Sequence, residues 1–388
     1  TADDGHGGTA TQTFTLHVVA PAANSAPYIY TETLPPAGVG LPYTPPIEAD
    51  DSDGDALEFS LLDAPPGISI DPVSGVLACL RPGERVEMLN RGEFWAQVRL
   101  EDGQTLVLKV APSADVPVLT YEADLMRGEV EAMRLAGRDT RVPVPTVRSA
   151  DLTRARLPVD YLFMDFVDGR PWSSARDELT DSQNAGVERQ LGAITAAINE
   201  IEHSTFGYLA TGPAFESWLE AFAWMCRSLY DDAYRFGIDT SLPEAEFEGL
   251  LERHSEVFSE VTRPRLVHWD LWAGNVLVET DDTGHAQVRG VIDFERAMWA
   301  DPLMEFIPGR LHDIDAYEAG YGQPLLSTRP QRLRRLFYNV YLGLVLLIED
   351  GPRCYEDKST VEWGRGLIER ATTMLEQGDV IDDLLTYA

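Results

Sequence analysis

The stretch Leu266-Val267-His268-Trp269-Asp270-Leu271-Trp272-Ala273-Gly274-Asn275-Val276-Leu277-Val278 constrains the fold of this chain more than any other. Two apolar runs of strand character enclose a short loop that carries His268, Asp270 and Asn275. Apolar runs bounded by turn residues read as buried strands. A tight loop between two such strands sets Asp270 and Asn275 on the same edge. Eighteen residues after Asn275 a third run, Gly290-Val291-Ile292, ends in Asp293-Phe294-Glu295. Charged groups at the ends of buried strands cost free energy unless something there needs them.

Phosphoryl transfer has that need, since it requires a carboxylate near the attacking hydroxyl and hard oxygen ligands for Mg²⁺. The His-x-Asp-x4-Asn spacing equals that of the protein-kinase catalytic loop, with Trp269 where that loop has Arg. Asp270 or Asp293 taken singly also fits a capping or turn aspartate. The ordered set Lys109, Glu129, Asp270, Asn275, Asp293 does not reduce to that.

Lys109 enters through composition. The chain holds only two lysines, Lys109 and Lys358, among 31 basic residues, so a lysine inside the apolar run Leu106-Val107-Leu108-Lys109-Val110 asks for a chemical reason. Residues 84–90, 93–100 and 104–110 read as three successive strands, the last two joined through Asp102-Gly103, a strong hairpin signal. Gly92 is the single glycine of the first connection, a poor phosphate loop by itself; neither G-x-G-x-x-G nor the Walker pattern is present. A helix-like stretch over 119–135 offers Glu129, with Glu122 as a second choice, to hold the Lys109 ammonium. An exposed lysine at a strand end with ordinary helix-surface glutamates fits equally well. Val142-Pro143-Val144-Pro145 predicts an extended connector. The apolar strand over 160–167, carrying Met164 and Phe166, suits a hinge whose backbone meets adenine, and equally a buried edge strand.

The chain divides in character near residue 80. Residues 1–80 hold no Lys or Arg, eleven acidic residues and ten of the 25 prolines. Beyond Arg81 charges mix and long amphipathic stretches begin. The overall charge of −33 repels nucleic acid and anionic lipid and favours cationic ligands. The longest apolar stretch, 340–348, is too short to span a bilayer. No signal peptide is visible, and the opening on Thr1 rather than methionine is consistent with a segment upstream. Cys79, Cys226 and Cys354 form neither a disulfide ladder nor a metal knuckle, and their count suits a reducing compartment.

Residues 26–78 resemble the bacterial immunoglobulin-like modules related to cadherin repeats. The likeness rests on Gly40-Leu41-Pro42-Tyr43, Asp51-Ser52-Asp53-Gly54-Asp55, Pro66-Gly67-Ile68-Ser69-Ile70-Asp71 and Ser74-Gly75-Val76-Leu77. The module's last two strands are missing after Cys79. The alternating stretch 9–19 is expected either to fold back onto the truncated module or to leave an open sheet edge. The Asp-rich turn over 50–55 is a solvated acidic turn or a Ca²⁺ ligand set.

Residues 84–388 resemble the aminoglycoside phosphotransferase and choline kinase-like superfamily. That likeness rests on Val107-Leu108-Lys109, Glu129, His268-x-Asp270-x4-Asn275, Ile292-Asp293-Phe294-Glu295 and Asp301-Pro302, with Glu305 where relatives often carry Asp. It implies an α+β, two-lobed protein-kinase-like fold, with a small all-β immunoglobulin-like segment ahead of it. The expected layout is a terminal strand or hairpin remnant over 1–22, the truncated β module over 26–79, an N-lobe over 84–166 and a helical C-lobe over 167–388. By position, Asp270 would be the catalytic base, Asn275 and Asp293 the Mg²⁺ ligands, and Lys109 the phosphate-binding lysine paired to Glu129. Gly92, Met164 and Phe166 complete the ATP site.

The implied activity is ATP-dependent transfer to a hydroxyl of a small molecule. The net charge and Asp231, Asp232, Glu295, Glu349, Asp350, Asp382 and Asp383, each of which also fits a solvated surface charge, favour a cationic, aminoglycoside-like acceptor over choline-like, macrolide or sugar substrates. ATP chemistry implies the cytoplasm, whereas immunoglobulin-like modules usually sit outside the cell. The competing reading is a non-catalytic cell-surface binding or adhesion protein with a degenerate kinase scaffold. Neither nucleic acid nor membrane is an expected partner.

Overall fold

The computed structural model describes residues 95–100, 103–112, 116–154, 159–281, 284–307, 310–353 and 357–378, together with short strands before residue 95. The chain forms two compact units. The first takes Thr1–Pro112 and Asp151–Phe163, the second Ser113–Ala150 and Met164–Ala388.

In the first unit, β1 (Glu87–Arg91), β2 (Trp95–Arg99) and β3 (Thr105–Val110) form an antiparallel meander. The Asp-Gly hairpin lies where the sequence places it. Gly103 sits at φ 87°, in the left-handed region glycine enters without strain, and the Leu100 amide donates to the Gln104 carbonyl at 2.8 Å. Lys109 lies opposite Trp95 in the register. Beyond β3 the Ala111 amide donates to the Asp160 carbonyl at 2.9 Å, and the buried Asp160 carboxylate is held by Arg154 at 2.8 Å. Nearer the start, Leu16–Val19 runs antiparallel to Glu58–Leu61 with Leu16 opposite Leu61, the fold-back pairing considered for the terminal strand. The turn over 51–55, most of the immunoglobulin-like motif residues and Gly92 lie outside the described residues.

The second unit is mostly helical. Helix α1 (Leu125–Asp139) buries Met126, Val130, Met133 and Ala136, a stripe at three- and four-residue spacing. The connector over 142–145 follows, and its Pro143 carbonyl accepts from the Val291 amide at 2.8 Å. Helix α2 (Asp181–Asn199) starts at a capping box in which Thr180 and Gln183 satisfy each other's amides. Helices α3 (Trp218–Phe236), α4 (Glu244–Arg253), α5 (Ile314–Tyr321), α6 (Arg329–Ile348) and α7 (Ser359–Gln377) complete the set of long elements. Almost every residue of α6 from Leu333 onward is buried, which explains its continuous apolar run without a membrane. Among the described residues, no helix is long and apolar enough to cross a bilayer.

Two small sheets interrupt the helices. Strand β4 (Arg265–Val267) pairs with β7 (Met298–Ala300), and β5 (Val276–Thr280) pairs with β6 (Ala286–Val291). The two strands flanking loop 268–275 therefore belong to different sheets. The sequence suggests one shared edge; the structure makes the loop a bridge.

Helices α2 and α5 cross backbone to backbone. A Cβ at Gly192 would stand 2.1 Å from the Tyr317 carbonyl oxygen, and one at Gly320 would stand 1.8 Å from the Arg189 carbonyl oxygen. Beside this crossing Glu188 of α2 is 1% exposed. One of its oxygens accepts from the His312 amide at 3.0 Å, and Oε2 has no hydrogen-bond partner. Burial pushes the Glu188 carboxyl up to about 7, against the His312 and Asp313 amides and the Arg176 charge. An acid with a raised folded pKa binds a proton in the folded state that the unfolded chain has released. Stability should therefore fall as pH rises from about 4.5 to 7, by roughly 2–3 kcal/mol. Glu188→Gln is expected to flatten that slope and exceed the wild type in stability by about 2 kcal/mol at pH 8. Urea unfolding at pH 5 and pH 8 checks this, and identical slopes in the two proteins would refute the assignment.

Candidate active site

The loop after β4 is held from below by Glu305. Its two carboxylate oxygens accept from the His268 amide at 2.7 Å and the Trp269 amide at 3.0 Å. Burial pushes the Glu305 carboxyl up to about 7, and the two amides work against that rise. Trp269 needs this support, because it sits at φ 62°, a left-handed conformation that costs a large side chain about 1–3 kcal/mol. Its indole is buried against Tyr341 and Tyr121, at ring separations of 5.1 and 6.5 Å, with the Arg296 guanidinium over its face. Glu305 is held in turn by its own segment. The fully buried Arg335 of α6 donates to the Leu303 and Phe306 carbonyls, both at 2.7 Å.

His268 acts as a spacer rather than an acid or base. Burial lowers its pKa, so the ring is neutral. Its Nδ1 accepts from the Asp270 amide at 3.2 Å, which leaves Nε2 to donate to the Ile292 carbonyl at 3.1 Å. The Ile292 amide donates to the Asn275 carbonyl at 3.0 Å. Through these bonds the loop of Asp270 and the turn of Asp293 form one hydrogen-bonded block.

Asp270 and Asn275 meet directly. The Asn275 side-chain nitrogen donates to the Asp270 carbonyl at 2.9 Å and to Asp270 Oδ2 at 3.0 Å. Spending both donors on Asp270 fixes the amide orientation and turns Oδ1 of Asn275 away. The other Asp270 oxygen accepts from Arg310 Nη1 at 3.1 Å.

Asp293 also has a left-handed backbone, at φ 69°, and immediately precedes the short turn Phe294–Arg296 that packs on α1. The packing gathers carboxylates. One oxygen each from Glu129, Asp293 and Glu295 lies within 4.8 Å of the others, with Glu129 buried. Such a donor set, all oxygen and anionic, suits a hard divalent cation.

The structure thus brings together Asp270 with Asn275, and Asp293 with Glu129. Met164 is buried on the strand Tyr161–Asp165, and Phe166 just beyond it is exposed. Lys109 belongs to the first unit. Glu122, the second choice of partner for Lys109, is instead paired with Arg353 and accepts from the Leu119 amide at 2.8 Å. Three acidic residues suggested for a cationic acceptor are likewise engaged. Asp232 holds the Thr120 amide at 2.6 Å and Arg235 at 2.7 Å. Glu349 pairs with Arg296 at 2.7 Å and Arg353 at 2.8 Å, and Asp350 with Lys358 at 2.6 Å. Burial works against the Glu349 charge, yet its two arginines and the Tyr121 hydroxyl hold its pKa below the usual range. Asp382 and Asp383 lie outside the described residues. Arg296 and Arg310 escaped the sequence reading, because an arginine among 29 carries no signal of its own.

Comparison with known proteins bears directly on this arrangement. The structure is similar to that of a fructosamine-3-kinase candidate from Thermobifida fusca, at 24% identity and TM-score 0.51, over 74% of this chain and 93% of that one. It is similar to aminoglycoside phosphotransferase APH(4)-Ia in ternary complex with AMP-PNP and hygromycin B, at 18% identity and TM-score 0.52, with the same two coverages. An aminoglycoside phosphotransferase candidate from Ralstonia eutropha matches at 14% identity and TM-score 0.53, over 77% of this chain and 94% of that one. At these identities the likeness speaks for the fold. The phosphotransferase enzyme family matches residues 95–327, more than half of the sequence and all of the residues just described from Lys109 to Arg310. The chain belongs to the phosphotransferase enzyme family, as a small-molecule phosphotransferase.

Proposed function

We propose that the protein transfers the γ-phosphoryl group of Mg-ATP to a hydroxyl of a small molecule. The observation that carries this reading is the single block in which Asp270 and Asn275 bond to each other and are tied through Ile292 to Asp293. In this reading Asp270 accepts the hydroxyl proton, and its fixed carboxylate orients the attacking oxygen. Asn275 Oδ1 and Asp293 would hold Mg²⁺, with Glu129 and Glu295 close enough to add charge. The ion would neutralise phosphate charge during transfer. Lys109 would bind phosphate with Glu129 as its partner, and Gly92, Met164 and Phe166 would line the nucleotide. A non-catalytic scaffold does not require Asp270, Asn275 and Asp293 to be held in one block.

For the acceptor, the net charge of −33 supports a cation, and the similarity to a hygromycin B-bound phosphotransferase supports an amino sugar. The side chains qualify this. Among the carboxylates that the sequence offers to an ammonium group, Asp232, Glu349 and Asp350 are already paired.

Thermal unfolding of the full chain with ATP, with and without Mg²⁺, tests the nucleotide site. Ligand at about a hundred times its Kd should add roughly 2.7 kcal/mol of stability. The Mg²⁺-dependent part of that gain is expected to vanish in Asp293→Ala. An Asp293→Ala protein with undiminished Mg-ATP stabilisation would remove Asp293 from the metal site.

A further inference from the structure

We propose that Arg310 is a positioning residue for the transfer reaction, fixing the Asp270 carboxylate from the side opposite Asn275. The inference rests on the phosphotransferase reading above. Arg310 Nη1 donates to Asp270 Oδ1 at 3.1 Å, while Asn275 Nδ2 donates to Oδ2 at 3.0 Å. Each carboxylate oxygen is thereby held by one donor. A carboxylate offers about four lone-pair sites, so one site on each oxygen stays open to a hydroxyl. Removing Arg310 would leave Asp270 held at Oδ2 alone and able to turn about its side-chain bonds.

The two holders come from separate parts of the chain. Asn275 lies in the same loop as Asp270. Arg310 arrives from the segment between the Glu305 turn and α5, and its amide donates to the Ile307 carbonyl at 3.3 Å. Its side chain is 25% exposed. A mostly buried guanidinium persists only where an anion compensates its lost hydration, and Asp270 is the anion in contact. That contact assigns its action to Asp270.

A second reading of the same ion pair makes Arg310 a brake that occupies the base until the acceptor arrives. The two readings predict opposite signs, and neither requires the acceptor to be known. Mg-ATP hydrolysis serves as the probe. A water oxygen bonds to the γ-phosphorus as the bond to the ADP oxygen breaks, and the water proton passes to Asp270 and then to solvent. Arg310→Met should slow this turnover by about 10–100-fold, the scale of a small misplacement of a reacting group. Its Kd for Mg-ATP should match the wild type. Arg310→Lys, which restores a charge without the planar fork, should recover part of the rate. Thermal unfolding of both variants separates a rate effect from a folding effect.

Equal or faster hydrolysis by Arg310→Met overturns the proposal in favour of a bystander or a brake. Parallel loss of rate and Mg-ATP affinity in both variants overturns it too, since that marks general disruption of the site. A wild type that fails to bind Mg-ATP removes both this proposal and the reading beneath it.

Discussion

Asp270→Asn is expected to lower phosphoryl transfer by about 10²–10⁴-fold, the usual contribution of a positioned general base. The substitution keeps the size of the side chain and one oxygen, which can still accept from Arg310. It removes the charge and presents an amide group to Asn275 Nδ2, where the structure has two donor bonds ending on Asp270. The backbone bond from Asn275 to the Asp270 carbonyl survives, as do the Glu305 bonds that hold the loop. Nucleotide affinity should therefore hold while turnover collapses. Steady-state transfer alongside nucleotide titration of the full chain reads both quantities. Turnover within threefold of wild type would show that Asp270 is not the base.

The second large effect concerns stability. Asp301 is 4% exposed, and its Oδ2 accepts from Arg334 Nε at 2.8 Å and from the Tyr338 hydroxyl at 2.7 Å. Its Oδ1 caps the short turn Pro302–Glu305 by accepting from the Leu303 amide at 3.1 Å. Asp301→Ala leaves the Arg334 guanidinium buried with only the Val257 carbonyl and Glu260 as polar partners. Breaking a buried pair from one side costs about 3–5 kcal/mol, chiefly because the remaining charge stays desolvated. Denaturant unfolding of the full chain should show that loss in the transition of the second unit. Asp301→Asn, which keeps the cap, should lose less. A loss under about 1 kcal/mol in Asp301→Ala would mean that Glu260, already bonded to Arg334 Nη1 at 2.8 Å, suffices to compensate the guanidinium.

The meeting of Asp270 and Asn275 was legible because they are close in sequence and stand between apolar runs. His268, Asp270 and Asn275 span eight positions, and the strand period on either side announces where they emerge. The hairpin at Gly103 and the long helices were legible for similar local reasons. Glu122 and Glu349 were not. Each looks available on its own helix or turn, and each is paired with an arginine, Arg353 for both and Arg296 for Glu349. The Glu122 pair joins residues 231 apart, and nothing in a sequence marks such a distance. Arg310 was hidden for the same reason, its position depending on how α5 is placed. Helix α5 itself has only eight residues, too few for a helical period to stand out. The division of the loop's flanking strands between two sheets was equally hidden, since pairing partners are chosen by tertiary packing.

The crossing of α2 and α5 sets a tolerance for the segment that carries Arg310 and His312. At Gly192 and Gly320 the two backbones approach so closely that a single methyl group at either position would overlap a carbonyl oxygen. A larger residue would act as a shim, prising α5 away from α2 and drawing the segment before it outward. That segment carries His312, whose amide rests on Glu188, and Arg310, whose guanidinium rests on Asp270. A hydrogen bond of 3.1 Å has little slack, so a shim of one carbon at the crossing consumes it. The alignment of Asp270 is thus gauged by two residues that have no side chain and lie in helices remote in sequence from loop 268–275.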